Sequence, residues 1–263
     1  MLSDEWADVQ INTPGEQAKN NLYGSLGSFN TLKARNRNLK LMLAIGGWGS
    51  EKEFAAAASS PDKRRKFTES SLQLLSDLGL DGLDVDWEYP TAPEDAKNVV
   101  LLLQELRQAL DSYANKLKEQ SGENVQFVMS FAGPAAPAQY NALPIREMDQ
   151  YLDFWNVMTY DFAGVFSDFT GHQAGLYQSE TPNASPAWAD AAINYYKTQV
   201  ASPSKLNFGM PLYGRSFAGT EGLGMPFTGA GAGSFEDGIV ELKVNTRNSI
   251  LRVLNCHKEI IHC

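Results

Sequence analysis

The 263-residue chain has no long apolar run and fewer cations than acids. No stretch approaches the ~18 consecutive apolar residues of a membrane span, so no membrane association is expected. With 22 Lys and Arg against 31 Asp and Glu, the net charge of −9 argues against nucleic acid as a partner. The start, MLSDEWADVQ, has no basic stretch followed by an apolar one, so we expect no signal peptide in this chain.

Cysteine is nearly absent, since Cys256 and Cys263 are the only two. Both lie in the last eight residues, close to His257 and His262. Two cysteines and two histidines can bind zinc, but this spacing matches none of the usual ligand patterns. We therefore expect no metal and no cofactor, and we interpret the segment as an unstructured tail.

Short apolar runs alternate with longer amphipathic stretches along most of the chain. Prolines and acidic residues stand near several expected helix starts, and Gly79 is in the position of a helix C-terminal cap. This alternation predicts a parallel α/β sheet. The predicted strands are Leu39–Ile45, Gly82–Trp87, Val125–Phe131, Phe154–Thr159 and Leu206–Leu212, and the predicted helices are Pro61–Leu78, Glu94–Glu119 and Pro186–Val200.

Glycine loops that bind phosphate are also missing. The chain contains no G-x-G-x-x-G motif and no Walker-type loop, so the nucleotide-binding α/β folds lose their usual support. The Gly-rich segment Gly219–Gly238 has no Lys-Ser or Lys-Thr pair. We interpret it as a surface loop or as the start of an inserted subdomain.

The strand DGLDVDWEYP, residues 81–90, carries the chemistry of this sequence. Side chains alternate between the two faces of a strand, so Asp84, Asp86 and Glu88 point one way and the apolar residues between them the other. Burying like charges side by side is costly, which is typical of a functional site. Glu88 comes last, at the carboxyl end of the strand, where α/β barrels have their active sites.

These acids have two other interpretations. The first is a solvated acidic edge, which is disfavoured because Trp87 and its apolar neighbours need a cover. A Mg²⁺ or Ca²⁺ site is a second alternative, because clustered carboxylates are good ligands for hard cations. We favour a catalytic carboxylate group over both.

Four segments together resemble glycoside hydrolase family 18. The motif Asp-x-x-Asp-x-Asp-x-Glu of that family is complete in residues 81–88. LMLAIGGW, residues 41–48, resembles its third strand, with Ala44 where many members have Ser. FWNVMTYD, residues 154–161, and GMPLYGRSF, residues 209–217, resemble its sixth and seventh strands. The details are similar to fungal chitinases.

The resemblance implies a substrate-assisted retaining reaction on chitin or chito-oligosaccharides. Glu88 would protonate the glycosidic oxygen while the substrate's own acetamido group attacks the anomeric carbon. Asp86 would bind the acetamido N–H, Asp84 would share its proton, and Tyr160 would bind the acetamido oxygen. The implied substrate-binding residues are Gly46, Gly47, Trp48, Tyr89, Met158, Asp161, Tyr213 and Arg215, whereas Trp155 is assigned to the core.

The family's domain is a (β/α)₈ TIM barrel, of which about strands 3–7 are recognisable here. We expect strands 1–2 and 8 to be missing and interpret the chain as truncated at both ends, with Asp4–Asn30 resembling the loop after strand two. Residues 1–217 are assigned to a partial catalytic barrel, 218–239 to the start of an α+β insertion subdomain, and 240–263 to an aberrant tail. A barrel with open edges is expected to fold poorly by itself or to need a partner.

Three functions remain open from the sequence. The first is chitin hydrolysis, expected outside the cell as in the family. The second is a chitin-binding lectin, which the presence of Glu88 disfavours. The third is a truncated product without activity of its own.

Overall fold

A computed structural model describes residues 4–11, 23–234 and 236–242, and the backbone of 260–262. A π-helical turn covers Trp6–Gln10 and a 3₁₀ turn Pro203–Lys205. The α-helices are α1 Gly24–Arg35, α2 Glu51–Ala58, α3 Pro61–Leu78, α4 Pro93–Ser121, α5 Pro137–Tyr140, α6 Ile145–Asp149 and α7 Ala189–Gln199. The strands are β1 Met42–Gly46, β2 Gly82–Asp86, β3 Val128–Pro134, β4 Phe154–Met158, β5 Leu206–Phe208, β6 Tyr213–Ala218, β7 Gly229–Ala230, β8 Ile239–Glu241 and β9 Ile260–His262.

Strands β1 to β5 form one parallel sheet in the order in which they occur in the chain. This confirms the predicted α/β class, and the sheet is that of a partial TIM barrel. The acidic strand β2 lies inside the sheet, between β1 and β3. Each strand therefore presents its carboxyl end at the same edge, where Glu88 follows β2.

Several strand boundaries differ from the prediction, and those of β1, β3 and β5 differ by three or four residues. β1 begins at Met42 rather than at the predicted Leu39. β3 begins at Val128 rather than Val125, which is exposed, and it runs on to Pro134 because its last residues pair with β4. β5 ends at Phe208, and the predicted end at Leu212 is wrong. The backbone N–H of Gly209 donates to the carbonyl of Val157, and Met210 and Leu212 beyond it are exposed.

The helices follow local signals where these are strong. α3 has the predicted bounds, Pro61–Leu78, and Gly79 caps its C-terminus with a left-handed φ of 65°. α7 begins at Ala189, three residues after the predicted start. Sequence patterning missed α1, α2 and the short helices α5 and α6. α1 occupies part of the segment that we expected to be a loop, Asp4–Asn30. Among the described residues no helix is both long and apolar enough to cross a bilayer.

The core lies between the sheet and helices α2 to α4. The apolar side of β2 is fully buried, with Val85 and Trp87 at 0% exposure. Trp87 stacks on Phe54 of α2 with 5.4 Å between ring centroids. Helix α4 contributes a buried stripe of Leu102, Leu103, Leu106 and Leu110. Because this side of β2 is covered by helices, its acidic residues are left facing the opposite side of the sheet.

A second, antiparallel sheet is organised around β6, which pairs with β7, β8 and β9. β6 begins at Tyr213, within the range assigned above to the barrel. Of the predicted tail, residues 240–263, the structure describes 240–242 and the backbone of 260–262. Val240 and Glu241 belong to β8, Leu242 follows it, and 260–262 form β9. Cys256, His257 and Cys263 lie outside the described residues.

Candidate active site

The three acids of the motif lie along one side of β2 and beyond its carboxyl end. Asp84 and Asp86 are half-buried, whereas Leu83 and Val85 between them are buried under the helices. Glu88 is half-buried and stands two residues past the end of the strand. The alternation of burial agrees with the face that the sequence predicted for the carboxylates.

Asp86 is the acid whose charge is most clearly opposed by its surroundings. Burial raises its pKa to about 6, and the nearby charges of Glu88 and Asp84 add to the effect. Its Oδ1 atom is buried and finds no hydrogen-bond partner in the part of the chain that the structure describes. A carboxyl group in this state can hold a proton near neutral pH and offers a buried oxygen to a donor on a substrate.

Asp84 is held by neighbours that the sequence analysis did not identify. Its Oδ1 accepts hydrogen bonds from Ser130 Oγ at 2.5 Å and from Asn156 Nδ2 at 3.0 Å. The oxygen of Asn156 accepts in turn from Asn207 Nδ2 at 3.1 Å. Ser130 stands directly beside Asp84 in the strand register, so a correct pairing of β2 and β3 would have found it. On the other side, Asp84 pairs with Ala44, which has no donor.

A second charged group consists of Asp161, just beyond the end of β4, and Arg215, near the start of β6. Arg215 donates from Nε and Nη2 to Asp161 Oδ1, at 2.9 and 2.8 Å. Tyr213 lies beside the same carboxylate, and its pKa is raised by burial and by its hydrogen bond to Asp161. The guanidinium also packs 5.7 Å from the ring centres of Tyr213 and Phe166. These contacts fix the position of both charges.

Tyr160 joins the two groups of acids. Its pKa is raised by burial first, and then by the charges of Asp86, Asp161, Glu88 and Asp84. All four carboxylates are therefore close enough to act on one hydroxyl. The predicted residues Asp84, Asp86, Glu88, Tyr160, Asp161, Tyr213 and Arg215 are thus brought into one cluster.

Gln173 was missed by the sequence analysis, which offered no signal for it. Its side chain is completely buried, with Oε1 accepting from the backbone N–H of Asp161 at 3.1 Å and Nε2 donating to the carbonyl of Tyr213 at 2.7 Å. Asp161 has a left-handed φ of 56°, which is unusual for a residue with a side chain. Gln173 supports this conformation and ties the end of β4 to β6.

The glycines after β1 bring the backbone close to Asp86. Gly47 N donates to the carbonyl of Asp86 at 2.9 Å. Gly46 has a φ of 117°, and a Cβ there would lie 2.1 Å from the Asp86 carbonyl oxygen. Only glycine allows this approach.

Gly46→Ala is therefore expected to lower the free energy of unfolding by about 3 kcal/mol, because a strained φ and a steric clash add up. The matched control is Gly49→Ala, where φ is also positive at 89° but no atom of the described residues lies within 4 Å of the added Cβ. That variant should lose only about 1 kcal/mol. Denaturant unfolding measures both, and equal losses would mean that the contact with Asp86 is not tight.

The other predicted binding residues surround this cluster with fewer contacts. Tyr89 is half-buried, and its pKa is raised by burial and by the charge of Glu88. Met158 ends β4 and pairs with Pro134, and Trp48 is 86% exposed in the turn after β1. Trp155 is buried at 0% exposure, as predicted for a core residue.

An open cavity of about 400 Å³ adjoins the Asp161–Arg215 pair, lined by Asp161, Leu212, Tyr213, Arg215, Ile239 and Glu241. Over the described residues, no three acidic, histidine or cysteine side chains are arranged to hold a metal ion. The cluster therefore offers carboxyl groups for proton transfer, a hydroxyl, and one fixed cation beside an open space. Such groups suit the cleavage of a polar, hydroxyl-rich substrate.

Comparison with known proteins identifies the family. A family model described as glycosyl hydrolases family 18 matches residues 2–257. Chitinase 1 of Aphanocladium album is 44% identical over 241 residues, which cover 91% of this chain and 54% of that protein. Endochitinase 1 of Metarhizium robertsii is 43% identical over 245 residues, covering 92% and 57% respectively.

A solved chitinase structure from Bacillus thuringiensis matches with a TM-score of 0.80 at 30% identity, over 92% of this chain and 43% of that one. The chain thus spans little more than half the length of the two relatives above. The match nonetheless includes the whole acidic strand and every element of the parallel sheet. The chain belongs to glycosyl hydrolase family 18.

Proposed function

We propose that this chain hydrolyses β-1,4-linked N-acetylglucosamine polymers, that is chitin and chito-oligosaccharides, by a substrate-assisted retaining mechanism. The observation that carries the proposal is the row of three acids on β2, in which Asp86 has a pKa of about 6 and a buried, unpartnered oxygen beside Glu88. The names of the relatives, chitinase and endochitinase, support the substrate class. Action outside the cell is part of the proposal.

In the first step Glu88, at the carboxyl end of β2, gives its proton to the bridging oxygen. The bond from that oxygen to the anomeric carbon breaks, and the carbonyl oxygen of the substrate's 2-acetamido group bonds to the anomeric carbon. The product is a cyclic oxazolinium ion, whose positive charge is stabilised by the neighbouring carboxylates. Asp86 accepts the acetamido N–H on Oδ1, the buried oxygen to which no described residue donates.

In the second step Glu88, now a carboxylate, removes a proton from water, and the water oxygen bonds to the anomeric carbon as the oxazolinium ring opens. Two inversions at the same carbon leave the configuration retained. Glu88 ends the cycle protonated. No group outside the substrate and the three acids is needed for the balance of protons.

The second charged group holds the sugar in place. Tyr160 is close to both Asp86 and Asp161, and so is positioned to donate to the acetamido oxygen. Asp161 and Arg215 are paired and face sugar hydroxyls, with Tyr213 beside them. The remaining lining residues are Gly46 and Gly47, which let the backbone approach, and Trp48, Tyr89 and Met158, which offer apolar surface.

We expect the chain to cleave N-acetylchitopentaose and not cellopentaose, because only the former has the acetamido group that acts as nucleophile. The first product, followed by ¹H NMR, should be the β-anomer. An α-anomer, or equal cleavage of cellopentaose, would contradict the mechanism. Binding without turnover would support a lectin instead, and neither binding nor turnover would support an inactive product.

A further inference from the structure

Asp84 is the best-connected acid of the β2 row, and all its donors come from one side of the sheet. Ser130 and Asn156 both donate to the same oxygen, Oδ1. The neighbour on the other side, Ala44, pairs with Asp84 in register and has no polar side chain. Both lone pairs of Oδ1 are thus used, so a proton on Asp84 would have to lie on its other oxygen, Oδ2.

The orientation of the Asn156 amide decides whether it donates to Asp84 or repels it. An amide group has a donor end and an acceptor end. Asn207 donates to the acceptor end of Asn156 at 3.1 Å, which leaves the donor end for Asp84 at 3.0 Å. With both amides in this orientation every contact along the row is favourable. Asn207 on β5 is thus connected to Asp84 on β2 through Asn156 on β4.

We propose that Asn156 and Asn207 form an amide relay that holds Asp84 as a hydrogen-bond acceptor. The proton shared by Asp84 and Asp86 then resides on Asp86. This proposal rests on the function proposed above. Both asparagines are positioning residues, since they act through Asp84. The relay would keep Asp86 protonated, so that it can give up this proton and take it back as the acetamido group binds.

The titration of the Asp84–Asp86 pair is also subject to other groups that surround it. Glu88 lies on the same segment, Tyr89 follows it, and Tyr160 faces the pair from beyond the end of β4, with Asp161 next to it. Burial and the charges of Glu88 and Asp84 raise the pKa of Asp86 to about 6. The side chain of Asn207 is not among these groups. A change at that position therefore tests the relay, together with the direct effect of any added charge.

The test replaces the donor of Asn207 by an acceptor, as Asn207→Asp. The new carboxylate would attract the NH₂ group of Asn156. The amide would then turn, and the oxygen of Asn156 would face Asp84. A hydrogen bond to a charged group would be lost, so the lower of the two proton-release steps of the pair should shift upward by about one pKa unit, a tenfold change. ¹³C NMR of the side-chain carboxyl carbons, assigned with Asp86→Asn, measures this shift without turnover.

The same variant should move the acidic limb of the kcat profile upward by about one pH unit while KM changes less than about twofold. Asn207→Leu, which removes the donor without adding an acceptor, should shift the pair in the same direction by less. If the wild-type chain proves inactive on chito-oligosaccharides, the proposed function fails while the NMR titration still decides the relay.

Two comparisons separate the relay from the added charge. In an Asn156→Ala background, Asn207→Asp should add little further shift, because the connection is already broken. Asn141→Asp, on an exposed asparagine away from the row, should leave the titration and the activity unchanged. An equal shift of the pair with and without Asn156, or no shift in Asn207→Asp, would overturn the proposal.

Discussion

Glu88→Gln is expected to lower kcat for chito-oligosaccharide cleavage by about 10³- to 10⁴-fold, with a much smaller change in KM. The amide has nearly the same shape as the carboxyl group but cannot release a proton, and loss of a general acid costs about this much. Steady-state assays on purified wild-type and variant chains measure it. The exposed Glu94→Gln on α4 is the matched control and should be without effect.

A substrate with a better leaving group separates proton donation from a structural role. A dinitrophenyl glycoside needs little help from an acid, so its cleavage should be much less affected by Glu88→Gln in the first step. An equal loss on both substrates would mean that the variant is misfolded or that Glu88 acts otherwise. Retained activity on chito-oligosaccharides would remove Glu88 from the role of acid.

Asp86→Asn is expected to reduce kcat by about 10²- to 10³-fold and, at the same time, to stabilise the fold at neutral pH. The rate falls because a carboxylate that stabilises the oxazolinium ion is lost. The fold gains because the pKa of Asp86 rises from 3.8 to about 6 on folding, so the native state opposes its charge. A gain in stability with a loss of activity is a signature of a functional acid.

The pH dependence of this gain has a definite sign. Between the unfolded value of 3.8 and about 6, folded Asp86 binds more protons than the unfolded chain, so wild-type stability falls as the pH rises. Above about pH 6 the penalty is complete, and below about pH 4 it is absent. Asp86 is only half-buried, so solvent screening reduces the effect to about 1 kcal/mol.

Urea unfolding of both proteins at pH 4 and pH 8 measures the difference. Asp86→Asn should be about as stable as the wild type at pH 4 and more stable at pH 8. Asp77→Asn, on the exposed side of α3, is the control and should show no such dependence. A variant that is less stable than the wild type at pH 8 would show that Asp86 is better satisfied than its surroundings indicate.

Local patterns were sufficient for the elements on which the site is built. Alternation along residues 82–88 separated Leu83 and Val85 from the acids, because side-chain direction in a strand has a period of two. Pro61 and Gly79 gave the bounds of α3, since each has a conformational preference independent of the rest of the chain. α1 lacked such signals: its first residue is glycine and its apolar side is weakly marked, so its formation depends on packing.

Sequence alone determined which residues could do chemistry: three acids on one side of a strand, with the last at its carboxyl end. Only the tertiary structure decided how each acid is held. The donors to Asp84 are Ser130 and Asn156, which lie 46 and 72 positions further along the chain. Gln173 joins β4 to β6 from a segment without regular structure. Such contacts depend on the register between parallel strands, which is set by the packing of the whole sheet rather than by neighbours in the chain.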